Sequence, residues 1–212
     1  MTADDIIARV VSKIQDSAFT EAAILDLIND GRFHIATIID LPSLRTSDTL
    51  VATSTENSVE LPDDYHKGIF WVWSTTQNRR IGKRLGDYYN ILTFLETYPG
   101  QTGRIDAVCV DGPDLLYQGA ADDGLIIRYY KKPAVISDTD DSPEELPYQF
   151  QQRALEAYCC KEIFADIEDG MEGQKVNTDF WAKKFDRIMA ELTAFVELNK
   201  PREAKYVRDV TV

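Results

Sequence analysis

The sequence predicts an α+β protein, an antiparallel α-helical bundle built from both chain ends with an inserted, mainly antiparallel β domain. Apolar residues recur at helical spacing near both ends of the chain. The middle of the chain instead has short β-branched and aromatic runs separated by Asp, Asn, Gly and Pro. The expected organisation is a bundle from residues 1–47 and 133–200, a β domain over 48–132 and a flexible tail over 201–212.

Two helices are expected in the first 40 or so residues, by the spacing of their apolar positions. The apolar positions of the first are Ile7, Val10, Val11 and Ile14. Those of the second are Ile24, Leu27, Ile28, Ile35 and Ile38, with Gly31 and His34 on the same stripe. Ser17 or Thr20 can cap the second helix. Because glycine costs about 1 kcal/mol relative to alanine inside a helix, we expect another backbone to approach Gly31 closely.

The middle segment predicts a series of short strands. A dense aromatic strand covers 69–73, and its expected hairpin partner is 79–85. A turn at Glu56-Asn57 is expected to join the first two strands, and a second turn lies at 111–113. The remaining strands are expected over 49–54, 58–61, 105–110, 115–118 and 125–130, with a helical interruption over 87–98.

The C-terminal part predicts an acidic connector followed by two helices. The connector covers 133–147, and its charges indicate a solvated segment. The first helix is expected over 148–167, with one side formed by Leu155, Tyr158, Cys159, Ile163 and Ile167. The second is expected over 177–198, with an apolar stripe formed by Trp181, Phe185, Ile188, Leu192 and Phe195.

The charge of the chain argues against tight binding to polyanions. The 212 residues carry a formal net charge of −13, whereas a protein that grips DNA needs positive charge to neutralise phosphates. The same negative charge disfavours binding to an anionic membrane surface.

The first residues lack the apolar core of a secretory signal, and no apolar run reaches the ~20 residues that span a bilayer. The sequence therefore predicts a soluble protein made in the cytoplasm.

The sequence offers no recognisable reactive centre, and we expect no catalytic residue, no metal site and no cofactor. Of the two histidines, His34 is expected to pack on the apolar side of its helix and His66 to lie in a surface turn. Cys159 and Cys160 are expected to be buried apolar residues. The carboxylates of the connector, namely Asp138, Asp140, Asp141, Glu144 and Glu145, are expected to be solvated, with weak calcium binding as the alternative.

Two features of the β segment are candidate docking surfaces. The first is the basic run Arg79, Arg80, Lys83 and Arg84, which can dock an acidic partner or a DNA backbone, or simply protect a solvated hairpin edge. The second is the aromatic strand, where alternation places Phe70 and Val72 on one face and Trp71 and Trp73 on the other. The two tryptophans can pack internally, form a subunit interface, or stack sugars or bases.

Several short motifs together resemble the head–tail connector (neck adaptor) proteins of tailed bacteriophages and prophages. They are spread over nearly the full chain and mark element boundaries. In order they are Asn29-Asp30-Gly31 with Ile35-Ala36, Leu41-Pro42-Ser43-Leu44, Val59-Glu60-Leu61-Pro62-Asp63-Asp64-Tyr65, Tyr129-Tyr130-Lys131-Lys132-Pro133 and Glu145-Leu146-Pro147.

The resemblance implies a structural virion protein at the head–tail junction and no enzymatic activity. Its partners would be the portal protein, neighbouring copies in a ring, commonly a dodecamer, and a downstream neck or tail protein. Genomic DNA would pass through the ring without tight binding. The C-terminal segment would reach the portal or a neighbouring copy, through Pro201, Arg202, Tyr206, Val207, Arg208 and Val210.

Three alternatives stay open at this point. A neck stopper or tail-completion protein would occupy the next layer of the same assembly. A non-viral ligand-binding module would use Trp71, Trp73 and the tyrosines of the β segment. A hydrolase of unrecognised type is disfavoured, because neither histidine has an evident catalytic partner.

Overall fold

A computed structural model of the chain describes residues 1–16, 18–81, 104–105, 107–117, 122–169 and 175–199. Within them the protein is α+β, as predicted, with four α-helices and seven antiparallel strands. The helices are α1 (Ala3–Ile14), α2 (Glu21–Ile38), α3 (Tyr148–Glu168) and α4 (Val176–Leu198). A short 3-10 helix covers Pro42–Leu44. The chain divides into two compact units, Met1–Ser43 with Pro133–Val212, and Leu44–Lys132.

The helical unit begins with two well-capped helices. The Thr2 hydroxyl accepts a hydrogen bond from the Asp5 amide while the Asp5 carboxylate accepts one from the Thr2 amide, which forms a capping box. Thr20 caps α2 through its side chain, as predicted; Ser17 lies outside the described residues. Helices α1 and α2 contact each other and α3, and α3 contacts α4.

The buried stripes of α1 and α2 differ in part from the predicted ones. In α1 the buried residues are Ala3, Ile6, Ile7 and Val10, whereas Val11 is 43% exposed. In α2 both Ile38 and His34 are exposed. The charged Arg32 of the same helix is buried instead, and it forms an ion pair with Glu145.

Gly31 is a point of close approach, although the group that approaches it is a side chain. A Cβ atom at this position would lie 2.8 Å from Cδ1 of Tyr158 and 3.3 Å from Cδ2 of Leu155. The expectation of a second backbone at Gly31 was therefore wrong. The absent side chain instead makes room for the Tyr158 ring of α3.

A buried ion-pair network joins α2 to the segment before α3. The Arg32 guanidinium donates from Nε to Glu145 Oε1 at 2.6 Å and from an Nη to Oε2 at 2.9 Å. Its other Nη donates to Asn29 Oδ1 at 2.9 Å, and the Asn29 amide exchanges two hydrogen bonds with the backbone of Ile136. Ser43 Oγ donates to the Glu145 carbonyl at 2.6 Å. We call Asn29, Arg32, Ser43, Ile136 and Glu145 the ion-pair network.

The connector over 133–147 was predicted to be solvated, and for Glu145 this was wrong. The side chains of Arg32 and Glu145 are only 4% and 7% exposed. Ile136, Pro143 and Leu146 are buried as well. Because a buried carboxylate needs a partner and Arg32 provides one in fork geometry, the connector folds against the helices at this point.

The end of α3 caps the start of α4. The Glu168 carboxylate accepts hydrogen bonds from the backbone N–H groups of Asn177 and Thr178, both at 3.0 Å, and from the Thr178 hydroxyl at 2.7 Å. The hydrogen bond from the Thr178 hydroxyl lowers the pKa of the Glu168 carboxyl below its usual range, and the hydrogen bonds from the two backbone N–H groups lower it further. A helix N-terminus has unsatisfied N–H groups and a positive dipole end, so a carboxylate is the fitting cap.

The β unit contains two antiparallel sheets. Strands β1 (Arg45–Ala52), β3 (Tyr65–Ser74), β4 (Arg79–Arg80) and β7 (Asp123–Lys131) form one sheet in the order β1-β7-β3-β4. Strands β2 (Ser58–Glu60), β5 (Val108–Asp111) and β6 (Asp114–Tyr117) form the other in the order β2-β6-β5. The predicted turn at 111–113 joins β5 to β6. Strand β1 pairs with β7, and β2 pairs with β6.

The two sheets share a core within the β unit. Its fully buried members include Ile105, Leu115, Tyr117, Leu125 and Ile127. Beside it, the Tyr129 hydroxyl bonds to Oδ1 of Asp64 at 2.5 Å, and the backbone N–H of Lys132 donates to the Asp64 carbonyl at 2.7 Å. The loop after β2 is thereby tied to the end of β7. The helix expected over 87–98 lies outside the described residues.

The buried ion pair generates a prediction for stability. We expect Arg32→Met to lower the free energy of unfolding by about 3–5 kcal/mol, because it leaves the Glu145 carboxylate buried without its partner. The double substitution Arg32→Met with Glu145→Met should cost much less, since it removes both charges. Urea unfolding of the three proteins measures this. As a control, Arg153→Met breaks an exposed pair with Glu191 and should cost about 1 kcal/mol or less.

Gly31 gives a second prediction. We expect Gly31→Ala to destabilise the protein, because its Cβ would lie 2.8 Å from Tyr158. In a Tyr158→Ala background the same change should become stabilising by up to about 1 kcal/mol, the ordinary advantage of alanine in a helix. Urea unfolding of the four proteins of this cycle tests the expectation. An equal effect of Gly31→Ala in both backgrounds would contradict the steric explanation.

The Glu168 cap predicts a contribution to acid sensitivity. The pKa of the folded carboxyl lies below its ordinary value of 4.5, so the stabilisation is present above that pH and is lost as pH falls through the folded pKa. We expect the free energy of unfolding to fall less steeply for Glu168→Gln than for the wild type, roughly between pH 5 and pH 3. Asp186→Asn, at an exposed position of α4, is the control and should follow the wild type.

Candidate functional site

The cysteine thiols are unsuited to nucleophilic chemistry. Cys109, Cys159 and Cys160 are all buried, and none of them forms a disulfide. Burial, reinforced by neighbouring negative groups, raises the pKa of Cys159 far above its usual range and that of Cys160 to about 12. Since the thiolate is the reactive form, both side chains remain protonated near neutral pH. The prediction that Cys159 and Cys160 are small buried apolar residues is confirmed.

The two histidines lie in unlike surroundings. The His34 ring centroid is 5.6 Å from that of Tyr158 and 5.9 Å from that of Phe185, so it packs on aromatic rings as expected, although the residue is exposed. His66 was expected in a surface turn, and this was wrong, because it lies half-buried in β3. Burial lowers the pKa of His66, and the positive charges of Lys67 and Lys132 lower it further.

Metal binding finds no support in the part of the chain that the structure describes. There, no three His, Cys, Asp or Glu side chains are grouped so that they could hold a metal ion. This includes the connector, where weak calcium binding was the alternative.

The described helices also include none that is long and apolar enough to cross a membrane.

The face of the four-stranded sheet that is opposite the core of the β unit, called the outer face, carries a cluster of aromatic rings and guanidinium groups. Trp71 and Trp73 stack with ring centroids 5.7 Å apart and an interplanar angle of 11°. Arg128, directly opposite Trp71 in the register, places its Cζ 4.7 Å from the centroid of that ring. Arg80 lies opposite Trp73 and is exposed. Antiparallel partners project to the same side of a sheet, so these four residues share one surface.

A second part of the same cluster lies at the other end of the strands. The Arg45 guanidinium is 5.5 Å from both the Phe70 and Tyr130 ring centroids and donates from Nε to the Tyr130 hydroxyl at 3.2 Å. Arg45 pairs with Tyr130 in the register, and Tyr130 alternates with Arg128 along β7. We call Arg45, Phe70, Trp71, Trp73, Arg80, Arg128 and Tyr130 the aromatic–arginine face. Arg80 and Arg128 are exposed, Tyr130 is buried beneath its neighbours, and the other four are half-buried.

The prediction for the aromatic strand holds for three of its four residues. Trp71 and Trp73 share one face, and Val72 belongs to the core on the other. Phe70 was expected beside Val72, and this was wrong, since its ring lies 5.4 Å from that of Tyr130. The register with β7 shifts between Lys67 and Trp71. Such a bulge inserts residues into one strand and breaks the simple alternation of sides.

The basic run divides between the two sides of the sheet. Arg79 lies opposite the buried Ser74 and donates to Gln77 Oε1 at 2.7 Å and to the Ile105 carbonyl at 3.2 Å. Arg80 is therefore the described member of the run on the outer face. Lys83 and Arg84 lie outside the described residues, as do the C-terminal candidates Pro201, Arg202, Tyr206, Val207, Arg208 and Val210.

The sequence reasoning missed Arg45, Arg128 and Tyr130. The alternation of β7, in which Leu125, Ile127 and Tyr129 are buried core residues, could have placed Arg128 on the opposite side. Their meeting with Trp71 and Phe70 depends on strand order and register, which the local pattern of a single strand does not contain. The arrangement can bind a partner by packing and by charge, and it holds no nucleophile or general base.

An acidic patch lies on the helical unit. The Ala3 amide donates to the Asp141 carbonyl at 2.8 Å and the Asp4 amide to the Thr139 carbonyl at 2.9 Å, so the start of α1 runs against the connector. This contact brings two groups of exposed carboxylates together. We call the following residues the acidic patch: Asp4, Asp5, Asp138, Asp140, Asp141 and Glu144.

Comparison with known proteins identifies one family. The family described as "SU10 adaptor protein" matches residues 1–209. Among curated proteins, none matches this chain. Because the match to the family covers nearly the full length, the chain belongs to the SU10 adaptor protein family, a family of structural adaptor proteins of bacteriophages.

Proposed function

We propose that the protein forms an adaptor ring between the portal and the tail of a virion, where it lines part of the DNA conduit and provides a platform for tail attachment. The observation that carries this proposal is the family match over residues 1–209. The proposed partners are the portal protein, neighbouring copies in a dodecameric ring and a downstream neck or tail protein.

The helical unit is proposed to act as a bundle built from both chain ends, over residues 1–47 and 133–200. The contacts of α1 and α2 with α3 support this, because they join segments from opposite ends of the sequence. The inserted β domain would cover 48–132. A ring requires each copy to use two unlike surfaces, and two separately packed units in one chain supply them.

The charge of the protein fits a conduit for DNA. A net charge of −13 repels the phosphate backbone, so a wall made of such subunits would let the genome pass without adhesion. A purely structural role also agrees with the chemistry of Cys159 and Cys160, whose thiols are buried and protonated near neutral pH. Structural adaptors of this kind are typically not enzymes.

The aromatic–arginine face is the proposed docking surface of the β unit. Tryptophan, tyrosine and arginine are the residue types enriched where proteins bind each other. The use of the tryptophans to stack sugars or bases is less well supported, because Trp71 and Trp73 already stack on each other and Arg128 covers Trp71.

Electron microscopy of the protein mixed with the portal of its own phage tests the proposal. We expect an added ring of density at the base of the portal. A variant lacking residues 201–212 should bind the portal at least about tenfold more weakly, because the tail is proposed to dock there and each ~1.4 kcal/mol lost is a factor of ten. Arg187→Ala, at an exposed site of α4, is the control and should form the same ring. Absence of any complex between the full-length protein and the portal would contradict the proposed function.

A further inference from the structure

The aromatic–arginine face is positively charged within an acidic protein. Arg45, Arg80 and Arg128 lie on it, and Lys67 approaches the Tyr130 ring to 5.8 Å. The other described strand residues that alternate onto this side are Ser47, Thr49, Val51, Gly124 and Ile126. None of the described strand residues on this side is Asp or Glu, and none of the ion pairs between described residues includes Arg45, Arg80 or Arg128.

The acidic patch has the opposite character. Its six members are exposed carboxylates, and neither the connector at 133–147 nor residues 1–8 contain a lysine or arginine. None of them takes part in an ion pair between described residues. The backbone hydrogen bonds from Ala3 and Asp4 to the connector hold both groups of carboxylates in one place.

We propose that the aromatic–arginine face of one copy of the protein binds the acidic patch of the next copy. This inference rests on the proposed function for its setting, since it names the contact by which neighbouring subunits would associate. The two surfaces lie on different units of the chain and are unlike each other. A contact between unlike surfaces is heterologous, so it repeats from copy to copy and closes into a ring when the rotation allows.

The geometry of the face fits carboxylates. Arg128 and Arg45 rest on aromatic rings, which restricts their planes. A guanidinium held in one orientation can offer a pair of N–H groups in the fork arrangement that a carboxylate accepts. Stacked aromatic rings supply apolar area beside these charges. The patch supplies several carboxylates on an ordered backbone, so little conformational entropy is lost on contact.

A second copy fits the face better than DNA does. Both are anionic, but duplex DNA carries one charge per about 1.7 Å of its axis, and the remaining surface of a chain with net charge −13 repels it strongly. Between two copies the attraction acts where opposite charges meet, while the net repulsion is spread over both surfaces and is largely screened at a Debye length of about 10 Å.

Two charge-reversed variants test the contact. The face-reversed variant is Arg80→Glu with Arg128→Glu, and the patch-reversed variant is Asp140→Lys with Glu144→Lys. Each should weaken self-association, because the face-reversed variant places carboxylates opposite carboxylates and the patch-reversed variant places lysines opposite arginines at the altered positions. An equimolar mixture of the two should associate again, since the altered face of one fits the altered patch of the other and the native surfaces fit as well.

Sedimentation velocity up to millimolar protein measures the association. We expect wild-type protein to associate at about 0.1 M salt and to dissociate at about 1 M, where the Debye length is about 3 Å. The self-association of each reversed variant alone should be weakened by at least about tenfold.

Lys183→Glu with Arg187→Glu, exposed on α4, is the control. It changes the net charge as the face-reversed variant does and should associate like the wild type. Arg80→Gln with Arg128→Gln keeps much of the packing on Trp71 and should show the same loss, which separates charge from misfolding.

Several outcomes would overturn the inference. They are a mixture that does not associate, a control that loses association equally, and a wild type that stays monomeric at every concentration. Binding of a short DNA duplex that depends on Arg80 and Arg128, without self-association, would assign the face to nucleic acid instead. If the face-reversed variant still forms a complete ring on the portal, the inference fails while the proposed function stands.

Discussion

The fold of the helical unit depends on the buried pair of Arg32 and Glu145, which lie 113 residues apart in the sequence. Two charges removed from water are costly unless they meet in good geometry with their remaining hydrogen bonds satisfied. Here the guanidinium is shared between the Glu145 carboxylate and Asn29 Oδ1, and Asn29 is itself fixed by the backbone of Ile136. The pair can therefore form only when the connector lies along α2, which also places Pro147 at the start of α3.

The motifs that resemble the phage connectors turn out to be residues that meet in space. Asn29 and Glu145 belong to separate motifs and join in the ion-pair network, and Ser43 of a third motif donates to the Glu145 carbonyl. In the β unit, Asp64 and Tyr129 belong to two further motifs and share a hydrogen bond. These motifs therefore do more than mark where helices and strands begin and end. They mark the places where distant segments are tied together, so their order in the sequence reflects the fold.

The helices could be predicted closely because their signal is local. The helix expected over 148–167 is observed at Tyr148–Glu168, and the one expected over 177–198 at Val176–Leu198. Local periodicity does not contain strand order, so the pairing of β1 with β7 was not predicted and the bulge that turns Phe70 toward Tyr130 was missed. Glu145 was assigned to solvent for a related reason, since its burial depends on a partner over a hundred residues away. Of the candidate surface, the sequence identified the tryptophans and Arg80 but could not assemble them with residues from β1 and β7.

The distribution of charge is the feature that links the fold to the proposed assembly. A net charge of −13 would keep free copies apart and away from DNA, and a uniformly acidic surface could not form the proposed contact with another copy. The alternation of side chains along β7 concentrates positive charge on one side of the sheet. Leu125 and Ile127 face the core, while Arg128 lies on the opposite side beside Trp71. Because cation and ring occupy paired positions in the register, their proximity is set by the sheet and needs no partner to create it. In the proposed contact, repulsion would dominate at long range and attraction at short range, so association would be favoured only between correctly oriented copies.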